Sequence, residues 1–534
     1  MTTPPTLPIA RQRMILAVLL LSSVLIWLDN TILGTALETL ADPVHGLGAN
    51  PAELQWATGS YTLIFAALMF TAGALGDRFG HRTVLATGLA LFAASSVWAA
   101  YAGDVGQLIA ARAAMGVGSA LIMPPTMAIV TWTFTGPARA AAIGLFSTSA
   151  GIGLAAGPLL AGLLLDHFWW GSVFLVNLPV VAVALAGIAA LVPNFRSPTR
   201  RPLDPAGLAL SVSGLGALAY GLIKAGQVAS WTPLDVWAPI VAGMVLLIVF
   251  VLVESRSAQP SFDPRLLAER TFGGGNAALG LLFLAMTAVG FYGAFYLQGA
   301  RGFSPLEAGL ANAPAALGVI VGGPLGIRLV RRFTLRPVAV PALVTAALAM
   351  GSFALFGLDT PIIWNEIVVS IQGLALGIVI GTVTAALMST LPLERAGAGS
   401  AVTNTVRQTG SVLGIAIGGT IMSIVYSRAM AGSVQDLPPA VADRMRESAE
   451  LARPTAAALG RPDLAHAADD AFVHALHVGA LWVMAFTLVA AAVLAITLSP
   501  SGIRSQSASS AADSLPASEQ PRRKSVMTSS SAGE

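Results

Sequence analysis

The chain has 534 residues, 55% of them apolar and only 10% charged, with a formal net charge of +3 and a mean hydropathy of +0.76. Ordinary soluble domains carry about 25% charged residues, so a water-facing surface over this whole length is excluded and a bilayer is the solvent that fits. Cysteine is absent and lysine occurs only at Lys224 and Lys524, which excludes a disulfide framework, a thiolate metal site and a phosphate-binding P-loop.

A spanning helix needs roughly 20 apolar residues for a ~30 Å hydrocarbon core. That rule predicts an all-α integral membrane protein with about fourteen spanners, near 14–37, 54–76, 83–102, 105–131, 140–165, 170–193, 206–225, 237–254, 273–299, 306–330, 337–357, 362–390, 398–427 and 474–498. The first run is too long for the apolar region of a signal peptide and has no small-residue cleavage site, so it reads as an uncleaved spanner. Arg11 and Arg13 precede it, and alternate loops then carry Arg78 and Arg82, Arg139, Arg196 to Arg201, Arg256 to Arg270, Arg331 to Arg336, and Arg395. The opposite loops carry acids such as Glu38, Asp42, Glu53, Asp104, Asp166, Asp235 and Asp359. Basic loops stay inside, so both termini are expected in the cytoplasm.

This gives a cytoplasmic N-terminus over 1–13, a six-helix unit over 14–193, a polar linker over 194–205, two further spanners over 206–254 and a second six-helix unit over 255–498. Segment 428–472 reads as an outer loop with two short amphipathic helices. Segment 499–534, rich in Ser and Ala, reads as a disordered cytoplasmic tail.

Ionisable residues at membrane depth are functional candidates. Asp29 lies roughly 22 Å past Met14 along a helix, and Arg112 falls roughly 12 Å below the opposite face, which puts the two within one helical turn of the same level. Two readings stand: a fixed ion pair joining two helices, or a carboxylate that takes up a proton while the guanidinium tunes it. Arg407, flanked by Asn404 and Gln408, falls near mid-membrane and either contacts a substrate or turns to backbone carbonyls. Tyr61, Met69, Met115, Met123, Met127 and Phe146 either line a cavity or pack between helices. The six His are scattered, none in H-E-x-x-H spacing, so no metal or other cofactor is expected.

The loop after the second spanner reads Gly73-Ala-Leu-Gly-Asp77-Arg78-Phe-Gly80-His-Arg82. It resembles the signature loop of the major facilitator superfamily, where such residues form a cytoplasmic gate contact made in one conformation only. Arg112-Ala-Ala-Met-Gly116-Val-Gly118 looks like a further element of that superfamily, with Met115 in place of its usual Gln. The fifth spanner, with Gly144, Gly153, Gly157-Pro158 and Gly162, resembles the antiporter motif found in exporters. Leu28-Asp29-Asn30-Thr31-Ile32, the stretch from Trp169 to Pro179, Tyr296-Leu-Gln298 with Ser304-Pro305, and Gly397-Ala-Gly399-Ser400 are similar to the fourteen-spanner drug:proton antiporter family.

The resemblance covers about residues 14–498. It implies two six-helix bundles around a central cavity, linked by the extra pair, and export of drugs, antibiotics or other small amphipathic compounds against protons. Asp29 and Arg112 would couple the proton. Asn30, Thr31, Tyr61, Met123, Gln298, Asn404, Arg407 and Gln408 would line the substrate cavity. Relatives that export bulky cations often carry Glu where this chain has Asn404 and Gln408, so neutral, zwitterionic or monovalent substrates fit better. The implied partners are a small-molecule substrate, protons and the lipid of the cell membrane, with the chain a monomer and no nucleic acid involved. An uptake permease would share the fold, and a membrane enzyme or sensor is the other alternative. The residues show no nucleophile elbow, metal cluster or sizeable soluble domain for the latter.

Overall fold

The computed structural model describes residues 8–134, 136–194, 204–257, 264–391 and 396–498. Among these residues the secondary structure is helical throughout, without strands. The helices are α1 (Ile9–Ala41), α2 (Pro51–Phe79), α3 (His81–Ala100), α4 (Val105–Thr133), α5 (Gly136–His167), α6 (Ser172–Leu175), α7 (Asn177–Leu191), α8 (Pro205–Gln227) and α9 (Leu234–Arg256). They continue as α10 (Arg265–Ala268), α11 (Arg270–Ala294), α12 (Pro305–Phe333), α13 (Arg336–Gly351), α14 (Ile362–Ser389), α15 (Ala396–Met430), α16 (Pro439–Glu447), α17 (Ala449–Ala458) and α18 (Pro462–Thr497).

Every predicted spanner falls on a helix. Among the described residues 12 helices are long and apolar enough to cross a membrane, and the bent α2 brings the number to 13. α5, with 32 residues, occupies the remaining position. Helix starts follow local chemistry legible in the sequence. Asn50 and Ser304 each form a reciprocal capping box with Glu53 and Glu307, followed by Pro51 and Pro305 at the first helical position. Asp104 and Asp204 cap α4 and α8 with their side chains, accepting from Gln107 N and Gly207 N.

Four boundaries differ from expectation. α1 begins at Ile9, so the N-terminal segment is shorter than the predicted 1–13. The sixth spanner, expected over 170–193, runs over Ser172–Leu191, with α6 and α7 separated only by Val176, whose helical φ and ψ keep the span continuous. The predicted 273–299 helix ends in a π-helical turn, Phe295–Ala300, which admits an extra residue and re-aims the side chains around it. The last helix starts at Pro462 rather than 474, because its first turns carry Asp463, Asp469 and Asp470 and a hydropathy rule cannot see them. The linker residues 195–203, Arg395 and the tail 499–534 lie outside the described residues.

α1 packs on α5 and α7, and α2 and α3 pack on α4. In the second half α11 packs on α15 and α18, while α12 and α13 pack on α14. Two bundles result, and they meet where α5 lies on α12, α2 on α15 and α1 on α11. The extra pair covers that seam from one side: α8 packs on both α2 and α15, and α9 packs on α8. α16 and α17, at the place expected for two short helices, sit against α15 and α18 and form a lid at one end of the seam.

The α2–α3 connection is a single residue. Gly80 has φ 101° and ψ 131°, a conformation open essentially to glycine alone. A Cβ there would also meet the Asn194 side chain. Gly80→Ala is expected to cost about 1–3 kcal/mol, read as an earlier melting transition of the detergent-purified protein.

Candidate functional site

The two ionisable residues singled out by depth meet. Arg112 Nη1 donates to Asp29 Oδ2 at 2.6 Å, and both side chains are 0% exposed. Arg112 Nε donates to the Ala57 carbonyl at 3.3 Å, and its guanidinium lies 4.4 Å above the Tyr61 ring. The Tyr61 hydroxyl is fixed by Ser119 at 2.8 Å. On the far side, Asn177 Nδ2 donates to Asp29 Oδ1 at 3.2 Å and approaches Ser96 Oγ at 3.4 Å. Among the described residues Arg112 Nη2 and Asn177 Oδ1 have no hydrogen-bond partner.

Isolated charges in so apolar a place would each cost several kcal/mol, and pairing with additional hydrogen bonds offsets this. Four helices supply the groups: α1, α2, α4 and α7, with Ser96 from α3. Asn177 was visible in the sequence only as part of a motif. Its bond to Asp29 spans 148 residues of chain, which no local signal encodes.

Just beyond the pair is a narrow cavity lined by Ile26, Trp27, Asn30, Phe65, Met123, Asn404, Arg407 and Gln408. Both bundles contribute. Asn30, Met123, Asn404, Arg407 and Gln408 are therefore brought together as expected from the sequence. Asp29 is not part of this wall; it points from the same turn of α1 into the bundle interior. Tyr61 is fully buried under Arg112. Thr31 hydrogen-bonds the Gly153 carbonyl of α5 at 3.2 Å. Gln298 Nε2 donates across the seam to the Thr35 carbonyl at 2.9 Å. These three predicted cavity residues lie outside the lining, each held by a packing contact that sequence spacing does not reveal. Arg407 points neither to a carboxylate nor to a carbonyl: it bonds the Thr384 hydroxyl and lies 5.3 Å from the Phe283 ring centroid. Among the described residues it is the one charged group in the lining.

The sequence profile of the Major Facilitator Superfamily matches residues 19–415. The chain belongs to the Major Facilitator Superfamily. It is 33% identical over 412 residues to the puromycin resistance protein pur8 of Streptomyces alboniger, covering 76% of this chain and 81% of that one. It is 32% identical over 463 residues to the multidrug efflux pump LfrA of Mycolicibacterium smegmatis, covering 85% and 90%. Its fold is similar to the crystal structure of a bacterial homologue of the human lysosomal transporter Spinster, inward-facing and unoccupied, with TM-score 0.62 and 17% identity over 92% of this chain and all of that one. This superfamily member is thus a multi-pass membrane transporter of small molecules.

The superfamily's signature loop is held within the first bundle. Asp77 Oδ1 sits 3.3 Å from His81 Nε2, Arg82 Nη2 donates to the Ala189 carbonyl of α7 at 2.8 Å, and Arg78 is exposed. A Cβ added at Gly73 would make only ordinary van der Waals contact with Pro124 of α4. Among the described residues no hydrogen bond or ion pair joins the bundles at this end. The antiporter-like glycines of α5 do two jobs. Gly153 and Gly157 let α5 touch α1 at Trp27, Leu28 and Thr31, leaving no room for a Cβ. Gly162 meets Leu306 of α12, and Gly309 of α12 meets the Pro158 carbonyl. Gly144 lies within α5.

Removing one partner of a buried pair costs about 3–5 kcal/mol, whereas removing both charges costs less. Arg112→Leu alone is expected to melt earlier than the double variant Asp29→Asn, Arg112→Leu. Thermal unfolding of the four members of the cycle checks this.

Proposed function

We propose that this transporter exports small amphipathic compounds from the cell in exchange for protons, from a plasma membrane in which the 73–82 loop faces the cytoplasm and the lid faces outward. The observation that carries the proposal is the arrangement around one turn of α1. Asp29 is locked to Arg112 and Asn177 on one face, while Ile26, Trp27 and Asn30 form cavity wall on the other. Displacing that turn from either side acts on the other.

Among the described residues, all partners of Asp29 belong to the first bundle. Rocking of rigid bundles about a central site therefore does not by itself free the carboxylate. In the proposed cycle a bound substrate shifts α1, the Asp29–Arg112 bond loosens, and the carboxylate takes up a proton. Return of the bond expels the proton and resets the wall. α5, in contact with both α1 and α12, transmits the shift to the seam. One proton moving through 100 mV supplies about 2.3 kcal/mol, enough for roughly a 50-fold gradient of a neutral substrate.

The drug-resistance and efflux names of the two relatives support export. The neutral amides Asn30, Asn404 and Gln408 and the positive Arg407 favour neutral, zwitterionic or singly charged substrates over multivalent cations. Two tests follow. Asp29→Asn is expected to abolish uphill efflux of a fluorescent dye from energised vesicles; retained uphill efflux would remove the proton role. Arg407→Gln is expected to shift the ratio of monocation to anion export roughly tenfold toward cations, the effect of one unit charge at short range in a partly screened site. Paired substrates in the same vesicles measure it.

A further inference from the structure

Asn177 opens α7 and is fully buried. Only one end of its amide is engaged. Nδ2 donates to Asp29 Oδ1 at 3.2 Å and approaches the buried Ser96 Oγ of α3 at 3.4 Å. Oδ1 is buried and, among the described residues, has no partner. An ionised carboxylate only accepts hydrogen bonds, so it suits this orientation. The two carboxylate oxygens are held differently: Oδ2 faces Arg112 Nη1 at 2.6 Å, and Oδ1 faces the amide. The charged and titratable groups facing Asp29 are Arg112 of α4 and Tyr61 of α2. α7 carries no titratable residue, and α3, α5 and α11 carry theirs near their ends.

Uptake of a proton by Asp29 reverses what this site needs. Oδ2 faces a guanidinium, which has donors and no acceptor, so the new O–H bond forms at Oδ1. The acid O–H and the amide N–H then point at each other, two donors with no acceptor between them. A half-turn of the amide about its Cβ–Cγ bond removes the conflict. The oxygen and the amino group of an amide are nearly alike in outline, so the turn requires little repacking. Oδ1, idle before, accepts from the acid. The Ser96 hydroxyl can donate as well as accept, and it donates to the same oxygen. Nδ2 takes the place that Oδ1 left. One unpartnered polar atom replaces another, so the cost of burying it is present in both states and largely cancels.

We propose that Asn177 is a positioning residue of the proton step: its amide donates to Asp29 as a carboxylate and, turned over, accepts from Asp29 as an acid. This role rests on Asp29 being the group that carries the proton, as proposed above. It gives both forms of Asp29 a hydrogen-bond partner inside the first bundle, so the proton can be held without a group from the second.

Infrared difference spectra of the detergent-purified protein, recorded between high and low pH, read both groups and need no substrate. On lowering the pH the parent is expected to gain an acid C=O band that Asp29→Asn removes. A shift of a side-chain amide C=O band should accompany it. Asn177→Leu, close to Asn in shape and without polar atoms, is expected to move the acid band to higher wavenumber, because an O–H without an acceptor leaves its C=O bond stiffer. The same variant should lose the amide shift. Isotopically labelled asparagine in the parent should displace the shifting amide band, a measurement that does not depend on the variant folding. An acid band that keeps its position in Asn177→Leu would overturn the proposal, and so would an amide band indifferent to labelled asparagine. Either result, with the Asp29 band present, leaves Asp29 as the proton carrier. A folded parent without any Asp29 acid band would instead sink the proton reading, and the role of Asn177 with it.

Discussion

The buried bond between Asp29 and Arg112 is the interaction on which the first bundle is organised. A carboxylate and a guanidinium with no exposed surface demand partners from every side, and α1, α2, α4 and α7 each present one. The Ala57 carbonyl, the Tyr61 face and the Asn177 amide complete the shell. Because this shell is contained in one bundle, it survives any motion that merely tilts one bundle against the other. Coupling to the cavity has to pass through the turn of α1 that carries Asp29 inward and Asn30 outward.

In lipid, apolar surface gives helices little reason to associate, so close packing of small residues carries the load. α5 shows the consequence. Its glycines bring it into contact with α1 at the level of Thr31 and with α12 at Leu306. A side chain at Gly157 would displace Thr31, and one at Gly162 would press on the α12 backbone. One helix thereby connects the turn beside the ion pair to the opposite bundle.

The seam is asymmetric. At the lid end it is closed by Gln298 on Thr35, by the α5–α12 contact and by Gln55 against Gly419. At the end of the 73–82 loop, Asp77 and Arg82 turn back on their own bundle. Asp77 is engaged by His81 and is not reaching across. The narrow cavity between these ends must widen before a drug-sized molecule fits.

The existence of the spanning helices and the pairing of Asp29 with Arg112 by depth were legible in the sequence. Hydrocarbon thickness sets helix length, caps are local, and a 1.5 Å rise converts residue number into depth. The cavity was legible in part, since Asn404, Arg407 and Gln408 lie on one stretch of a single helix. Azimuth was not legible: depth alone cannot say that Tyr61 turns under Arg112 or that Thr31 turns to α5. Contacts between elements far apart in the chain were equally hidden, and only tertiary packing placed Asn177 on Asp29 and Gln298 on the Thr35 carbonyl. A residue's own helix determines its height in the membrane, whereas the helices packed around it determine which way it faces and what it meets.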